Sequence, residues 1–335
     1  TLARVVQQPA FDPREVASLR DELFEEAVDS EFSYDGVVLP LAVRALLGEG
    51  DPWAVGARER AEAVRAFMRQ DLVDYYLGKY RPSLGALIVV GDAPAAEVRE
   101  LAREHFGAWE PRAPGATRGV RSLSLAQKKI AASDRRRVLA LLAGGDQALV
   151  LLPQRAAPPN HPDRVALELL AQILAGGYQS RAQLALRHSG GLTYGVAASL
   201  DGSSERAFLL VSAQVEAAAI REGVSKLERE IERLRAEPVS ESELAAARSA
   251  YLGGGGGATN EGIAAAIASL YLDGRGGDDV PDFAALADAV QPADLLRVAR
   301  EYLNPSADLV VVGDVFESRK QLEALGDVKY LAVTK

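Results

Sequence analysis

The sequence predicts an α/β (α+β) fold made of two copies of one unit, each an antiparallel-rich sheet packed against helices. Three observations carry this prediction. Strand-length apolar runs alternate with amphipathic helical stretches along the 335 residues. Two separate patterns then recur in the same order. Asp71…Tyr80-Arg81-Pro82…Gly91-Asp92 parallels Asp294…Tyr302-Leu303-Asn304-Pro305…Gly313-Asp314 at a shift of 222 to 223 positions. Phe11-Asp12-Pro13-Arg14-Glu15-Val16…Arg20 parallels Val239-Ser240-Glu241-Ser242-Glu243-Leu244…Arg248 at a shift of 228. Finally, the aperiodic, Pro/Gly-rich stretch Glu110–Gly119 reads as a linker. Residues 1–112 are then the C-terminal part of the first copy, 113–125 the linker, and 126–335 the second copy.

The elements follow in chain order. Asp12-Pro13-Arg14-Glu15 starts a helix that runs to about Asp29, with an acidic N-cap and proline in the first position. Helices cover Val37–Leu47, Ala57–Met68 and Gln70–Lys79. The apolar run Leu84–Val90 reads as a strand closed by Gly91-Asp92, and Pro94–Phe106 as an amphipathic helix. In the second copy, Val138–Ala143 and Ala148–Pro153 read as strands, and Pro162 opens a helix that stops at Gly176-Gly177. A hairpin follows, turning at Asp201-Gly202 into Ala207–Val215. Ala217–Leu234, Ser240–Tyr251, Asn260–Leu272 and Pro292–Tyr302 are helical, and Asp308–Val312 reads as a second strand ended by Gly313-Asp314. Subtracting the repeat shift puts the first-copy counterpart of Val138–Lys226 ahead of Thr1. The first copy therefore lacks the front part of its fold within these residues.

Composition narrows the function. A formal net charge of −9 disfavours nucleic acid and anionic membrane as main partners, and Arg135-Arg136-Arg137 reads as a solvated strand edge. With no cysteine there is no disulfide or thiolate chemistry, and no apolar run approaches membrane-spanning length. Gly253–Gly257 follows a helix and lacks a G-K-[ST], so it reads as a flexible bend and not a phosphate loop.

The most informative stretch is Leu184–Leu200. A helix ends at Gly190-Gly191, and a strand begins with Tyr194, Val196, Ala198 and Leu200 on one face. Such a turn can hold Arg187 and Tyr194 together, a forked cation beside a phenol, suited to a peptide carbonyl or a developing oxyanion. A surface arginine and a core tyrosine explain the same spacing, and spacing alone favours that plainer reading.

Arg187-His188-Ser189-Gly190-Gly191-Leu192-Thr193-Tyr194 resembles the R-x-x-x-G-L-x-Y segment of the insulinase/pitrilysin-type zinc metallopeptidases, the family that includes the mitochondrial processing peptidase. Asp71–Tyr80, Val89-Val90-Gly91-Asp92 and Val239–Leu244 match in order and spacing, so the resemblance covers essentially the whole chain. It implies that Arg187 and Tyr194 contact substrate across from a zinc ion held by an inverted H-x-x-E-H motif. That motif does not occur in this chain. His105 reads as a helix-end or surface residue, His161 as part of a capping turn, and His188 stands where the family commonly has glutamate. Glu26 falls, give or take one position, where the family places its third zinc ligand, whereas Leu19 stands where active members keep an acid. An ordinary glutamate on a charged helix is the plainer reading of Glu26.

The resemblance thus implies a substrate-binding, non-catalytic subunit of a bacterial heterodimeric zinc peptidase, with peptides as substrates and zinc in a homologous partner. This chain itself would carry no cofactor. Two other readings stay open. One is a catalytic zinc peptidase whose H-x-x-E-H lies upstream of Thr1, with Glu26 as a true ligand; the other is a structural core-type subunit that has lost catalysis. The compartment would be the periplasm or cytoplasm of a bacterium, with a lean to the periplasm.

Overall fold

The computed structural model describes residues 2–30, 34–48, 51–110, 137–142, 146–159, 161–188, 191–203, 206–253, 259–272, 282–313 and 318–331. The N-terminal part is helical: α1 (Leu2–Gln7), α2 (Pro13–Asp29), α3 (Leu39–Leu47), α4 (Ala57–Ala66), α5 (Arg69–Lys79) and α6 (Ala95–Phe106). The Asp12 carboxylate accepts from the N–H groups of Arg14 at 2.8 Å and Glu15 at 3.4 Å, with Pro13 next to it, as the sequence requires of a helix start.

The remainder alternates strands and helices. In order it runs β1 (Arg137–Leu142), β2 (Gln147–Arg155), α7 (Arg164–Ala175), α8 (Arg181–Gln183), β3 (Thr193–Ser203) and β4 (Arg206–Glu216). Then come α9 (Ile220–Ala236), α10 (Glu241–Gly253), α11 (Asn260–Leu272), α12 (Phe283–Ala289), α13 (Pro292–Tyr302), β5 (Leu309–Gly313), α14 (Arg319–Leu325) and β6 (Asp327–Leu331). Among the described residues the strands form one six-stranded sheet in the order β3-β4-β2-β5-β1-β6. The pairs β3–β4, β4–β2 and β2–β5 are antiparallel, and β5–β1 and β1–β6 are parallel.

Strand periodicity decides which face each side chain occupies. Ala148, Val150 and Leu152 of β2 point to one face with Leu209, Val211 and Ala213 of β4, where α7, α9 and α13 cover them. Leu151, Phe208, Leu210 and Val310 point to the other face, which α3 covers. The α3 sequence is apolar nearly all round, and Pro40, Leu41, Ala42, Val43 and Ala45 are buried. A helix from the first 112 residues thereby covers one face of the sheet that forms after residue 137. The linker at 113–125 lies outside the described residues.

Several expectations need correction. Leu84–Val90 is not a strand: a short turn at Pro82–Leu84 gives way to unpaired extended chain, with Leu87 and Val89 exposed at 48% and 52%. A strand needs a neighbour, and among the described residues none lies alongside it. The hairpin turns later than Asp201-Gly202, since the ladder continues through Gly202↔Ala207 to Ser203↔Arg206. Residues 204 and 205 lie outside the described residues. Arg137 opens an interior strand and donates to Asp308 and to the Ala45 carbonyl with its side chain 45% exposed, so it is solvated without lying on a sheet edge, and Arg135 and Arg136 lie outside the described residues. Gly253 ends α10, and Gly254–Gly257 lie outside the described residues.

Candidate functional site

The focal segment is built on a buried anchor. Directly after α8 the chain makes a wider helical turn, Leu184–His188, and Ala182 and Leu186 are fully buried in the main core. Gly191, at φ +60°, closes the helix in the left-handed conformation that glycine adopts without strain. Its N–H donates to the Arg187 carbonyl at 3.0 Å, and the Leu192 N–H donates to the Leu186 carbonyl at 2.9 Å. The Gly191 bond is the five-to-one closure of a left-handed C-cap, and the chain continues from there into β3.

β3 begins with a bulge. Thr193 pairs with Val215 and Gly195 with Gln214, which leaves Tyr194 as the extra residue on its strand. A bulge re-aims the residue it inserts, which is why bulges recur beside binding sites. Buried polar groups hold this one. The Thr193 hydroxyl lies within hydrogen-bonding reach of the Gln214 carbonyl, 2.8 Å from the Gly195 carbonyl, and it accepts from the Gly195 N–H at 3.1 Å. The Gln183 side-chain oxygen accepts from the Val196 N–H at 3.1 Å, tying α8 to the strand. Thr193 and Gln183 are 7% and 5% exposed, so both need these partners.

Arg187 is exposed at the helix end, and its guanidinium carbon lies 5.6 Å from the centroid of the Tyr178 ring. Among the described residues it makes no ion pair. The side chains of Tyr194 and His188 lie outside the described residues. The backbones of Arg187 and Tyr194 stand on either side of Ser189 and Gly190, which lie outside the described residues. Sequence reading singled out this pair and missed Gln183, Thr193 and Tyr178. A threonine immediately before the motif tyrosine, in a turn otherwise short of side-chain acceptors, was the available signal.

A second anchor lies one turn upstream. Arg181 grips Glu243 through Nε–Oε1 at 2.7 Å and Nη2–Oε2 at 3.1 Å, with the Arg181 side chain 9% exposed. Glu243 also accepts from the Ser240 N–H at 2.9 Å, while the Ser240 hydroxyl accepts from the Glu243 N–H. The Arg181 hydrogen bonds, together with those from Ser240, pull the Glu243 carboxyl down to about 2 against the cost of burial. The repeated segment Val239–Leu244 is therefore a helix start that also fixes the position of α8.

The histidines and Glu26 form no shared site. Glu26 is exposed on α2, and Leu19 of the same helix is 53% exposed. The His105 carbonyl accepts from Gln7 at 2.8 Å. His161 acts as the capping turn expected of it, its Nδ1 accepting from the Asp163 N–H at 3.1 Å. Arg297 clamps Asp163 through both carboxylate oxygens, which lowers the Asp163 pKa and fastens α13 to the start of α7. Among the described residues no three His, Cys, Asp or Glu side chains come together to hold a metal ion. One exposed carboxylate is not a zinc site, so these residues do not fit the metal. No helix among the described residues is long and apolar enough to cross a membrane.

Comparison with known proteins gives three results. Residues 66–251, more than half of the chain, match the family described as "Peptidase M16 inactive domain". An uncharacterized zinc protease of Mycobacterium leprae (strain TN) is 25% identical over 247 residues, covering 70% of this chain and 51% of that protein. The chain thus spans about half the length of this curated relative. Among solved structures, the peptidase M16 inactive domain from Pseudomonas fluorescens matches with a TM-score of 0.73 at 19% identity, over 93% of this chain and 73% of that one. A protease from Helicobacter pylori matches with a TM-score of 0.72 at 17% identity, over 93% and 74%. At these identities the two structures show a common fold.

Proposed function

The chain belongs to the M16 inactive-domain family of the metallopeptidases, and from that premise we propose that it is the substrate-binding, non-catalytic half of a bacterial zinc peptidase. One observation carries the proposal. A left-handed helix closure at Gly191, a bulge at Tyr194 and the buried Gln183 and Thr193 side chains fix the chain around Arg187 and Tyr194, and Arg187 has no acidic partner among the described residues. A guanidinium left without a carboxylate at a bonded helix end is prepared for a ligand oxygen. In this reading Arg187 donates to a substrate carbonyl, and the Tyr194 hydroxyl donates to the oxyanion that develops when the peptide bond is attacked. Zinc belongs to a homologous partner subunit, and the substrate is an extended peptide.

A second reading has its own support. The Mycobacterium leprae relative is named a zinc protease and is about twice the length matched here. The chain would then be part of a catalytic polypeptide whose H-x-x-E-H lies elsewhere, with Glu26 as a ligand. Zinc analysis and activity together separate the two. The full polypeptide that its gene encodes, purified alone, should carry no stoichiometric zinc and leave an unstructured peptide intact, and adding a separate zinc-bearing homologue should start hydrolysis. About one zinc per chain in the purified protein would overturn the leading reading. So would hydrolysis by this chain alone.

A further inference from the structure

Positive charge is concentrated beside the Leu184–His188 turn, in a chain whose formal net charge is −9. Between this turn and α9 lies an open groove of about 430 Å³. Four cationic side chains line it, Arg181, Lys226, Arg229 and Arg233, against the two carboxylates Glu230 and Glu243. Both carboxylates are already engaged. Glu243 is held by Arg181 and Ser240, and the two Glu230 oxygens accept from Arg233 at 3.2 and 2.9 Å. Two cations remain. Lys226 pairs with the exposed Glu222 at 3.3 Å, and Arg229 makes no ion pair among the described residues.

The helix and the floor of the groove both lack an anion. Lys226, Arg229 and Arg233 fall at i, i+3 and i+7 of α9, so like charges are neighbours along one stripe. Such neighbours disfavour a helix unless opposite charge lies against them. At the floor, the Arg181 side chain is 9% exposed. Its Nε and Nη2 donate to Glu243, whereas Nη1 is shielded from solvent and has no hydrogen-bond partner. A buried guanidinium donor without an acceptor costs free energy, and native structures supply one.

Position and length narrow the ligand. Leu184 lines the groove and lies within one helical turn of Arg187. The stretch from Lys226 to Arg233 covers about 10 Å of helix at about 1.5 Å per residue. Alternate side chains of an extended peptide stand about 7 Å apart, within that span. We propose that the groove is a specificity subsite for acidic side chains of an extended peptide. Two carboxylates set two positions apart lie along Lys226 and Arg229, above the Arg181 floor. This rests on the peptide-binding reading of Arg187, and it adds that the peptide is selected for acidic residues a few positions away.

Fluorescence anisotropy on the full polypeptide, with no partner and no turnover, tests this. The probe is a labelled, capped Gly/Ser peptide containing Glu-Ser-Glu, and its control carries Gln-Ser-Gln. At low ionic strength, where exposed charges are little screened, the Glu peptide should bind at least about tenfold more tightly. Arg229→Glu reverses an exposed side chain and should abolish that preference without changing the unfolding temperature, while Arg229→Lys should keep most of it. Arg14→Glu, on the exposed face of α2, should leave it unchanged, as should Arg187→Ala. Equal affinity for the two peptides would overturn the proposal. So would an equal loss in Arg14→Glu, which would mean attraction to the charge of the whole molecule. Loss of the preference in Arg187→Ala would move the acidic selection to the turn, and displacement of the Glu peptide by equimolar inorganic phosphate would make the groove a small-anion site; either result contradicts the proposal. Binding is read here without hydrolysis, so Arg187 and Tyr194 variants that keep parental turnover would defeat the clamp and leave a measured Glu preference standing.

Discussion

Gly313 and Gly91 occupy equivalent places in the two copies, yet a methyl group at each has opposite consequences. At Gly313 the added Cβ would press on the Ala148 Cα and on the Gln147 carbonyl at 2.9 Å, backbone atoms that cannot swing aside. Gly313→Ala should therefore cost about 1–3 kcal/mol, the usual range for overpacking. Gly91→Ala should be neutral, or raise stability by up to about 1 kcal/mol by restricting the unfolded chain. Urea titration of both variants checks this, and equal losses would contradict the account of β2 as Gly313's constraint. Sequence pattern made both glycines look alike. What separates them is a neighbouring strand, and a neighbour some 160 positions away leaves no mark at the residue itself. The same limit applies to the site. The helix stop at Gly191 was legible because helix closure is local, whereas Thr193 and Gln183 matter through bonds to Gln214 and Val196 that exist only once the hairpin forms.

At the scale of elements, α8 and α10 are joined by one ion pair. Glu243 ionises at about 2 in the folded chain, below its ordinary value of 4.5. A depressed carboxyl contributes stability that is complete above the ordinary value and is lost as pH falls through the folded one. Glu243→Gln should thus be less stable than the parent at neutral pH. The gap should close progressively from about pH 4.5 to about pH 2, when the parent carboxyl is neutral as well. Because Glu243 is partly exposed, Glu243→Ala should cost about 2–3 kcal/mol, somewhat less than breaking a fully buried pair. Unfolding curves across that pH range decide the matter, and a gap independent of pH would mean that the ionised pair contributes nothing. Helix starts and stops such as Asp12-Pro13 and Pro292 were readable because caps depend on neighbours three or four positions away. The strand at Leu84–Val90 was misread for the complementary reason: β structure belongs to pairs, and composition can announce a strand without supplying its partner.

At the scale of the whole molecule, the sheet with helices on both faces is a rigid support, and α3 binds the N-terminal residues into it. The repeat pointed to two similar units, and chain order gave no sign that α3 would cover one face of the sheet formed after residue 137. In the proposed reading, the turn between Arg187 and Tyr194 serves on this support as an oxyanion and carbonyl clamp for a zinc-bearing partner. The measurement that tests this most directly is turnover of an unstructured peptide by the complex of this chain with its zinc-bearing homologue. Arg187→Ala and Tyr194→Phe would each be confirmed as assembled by size exclusion beforehand. Loss of a positioned donor should lower turnover by about a hundred- to a thousandfold, or about 3–4 kcal/mol of transition-state stabilisation, with assembly unchanged. Parental turnover from both fully assembled variants would contradict the account and leave the chain as a structural subunit.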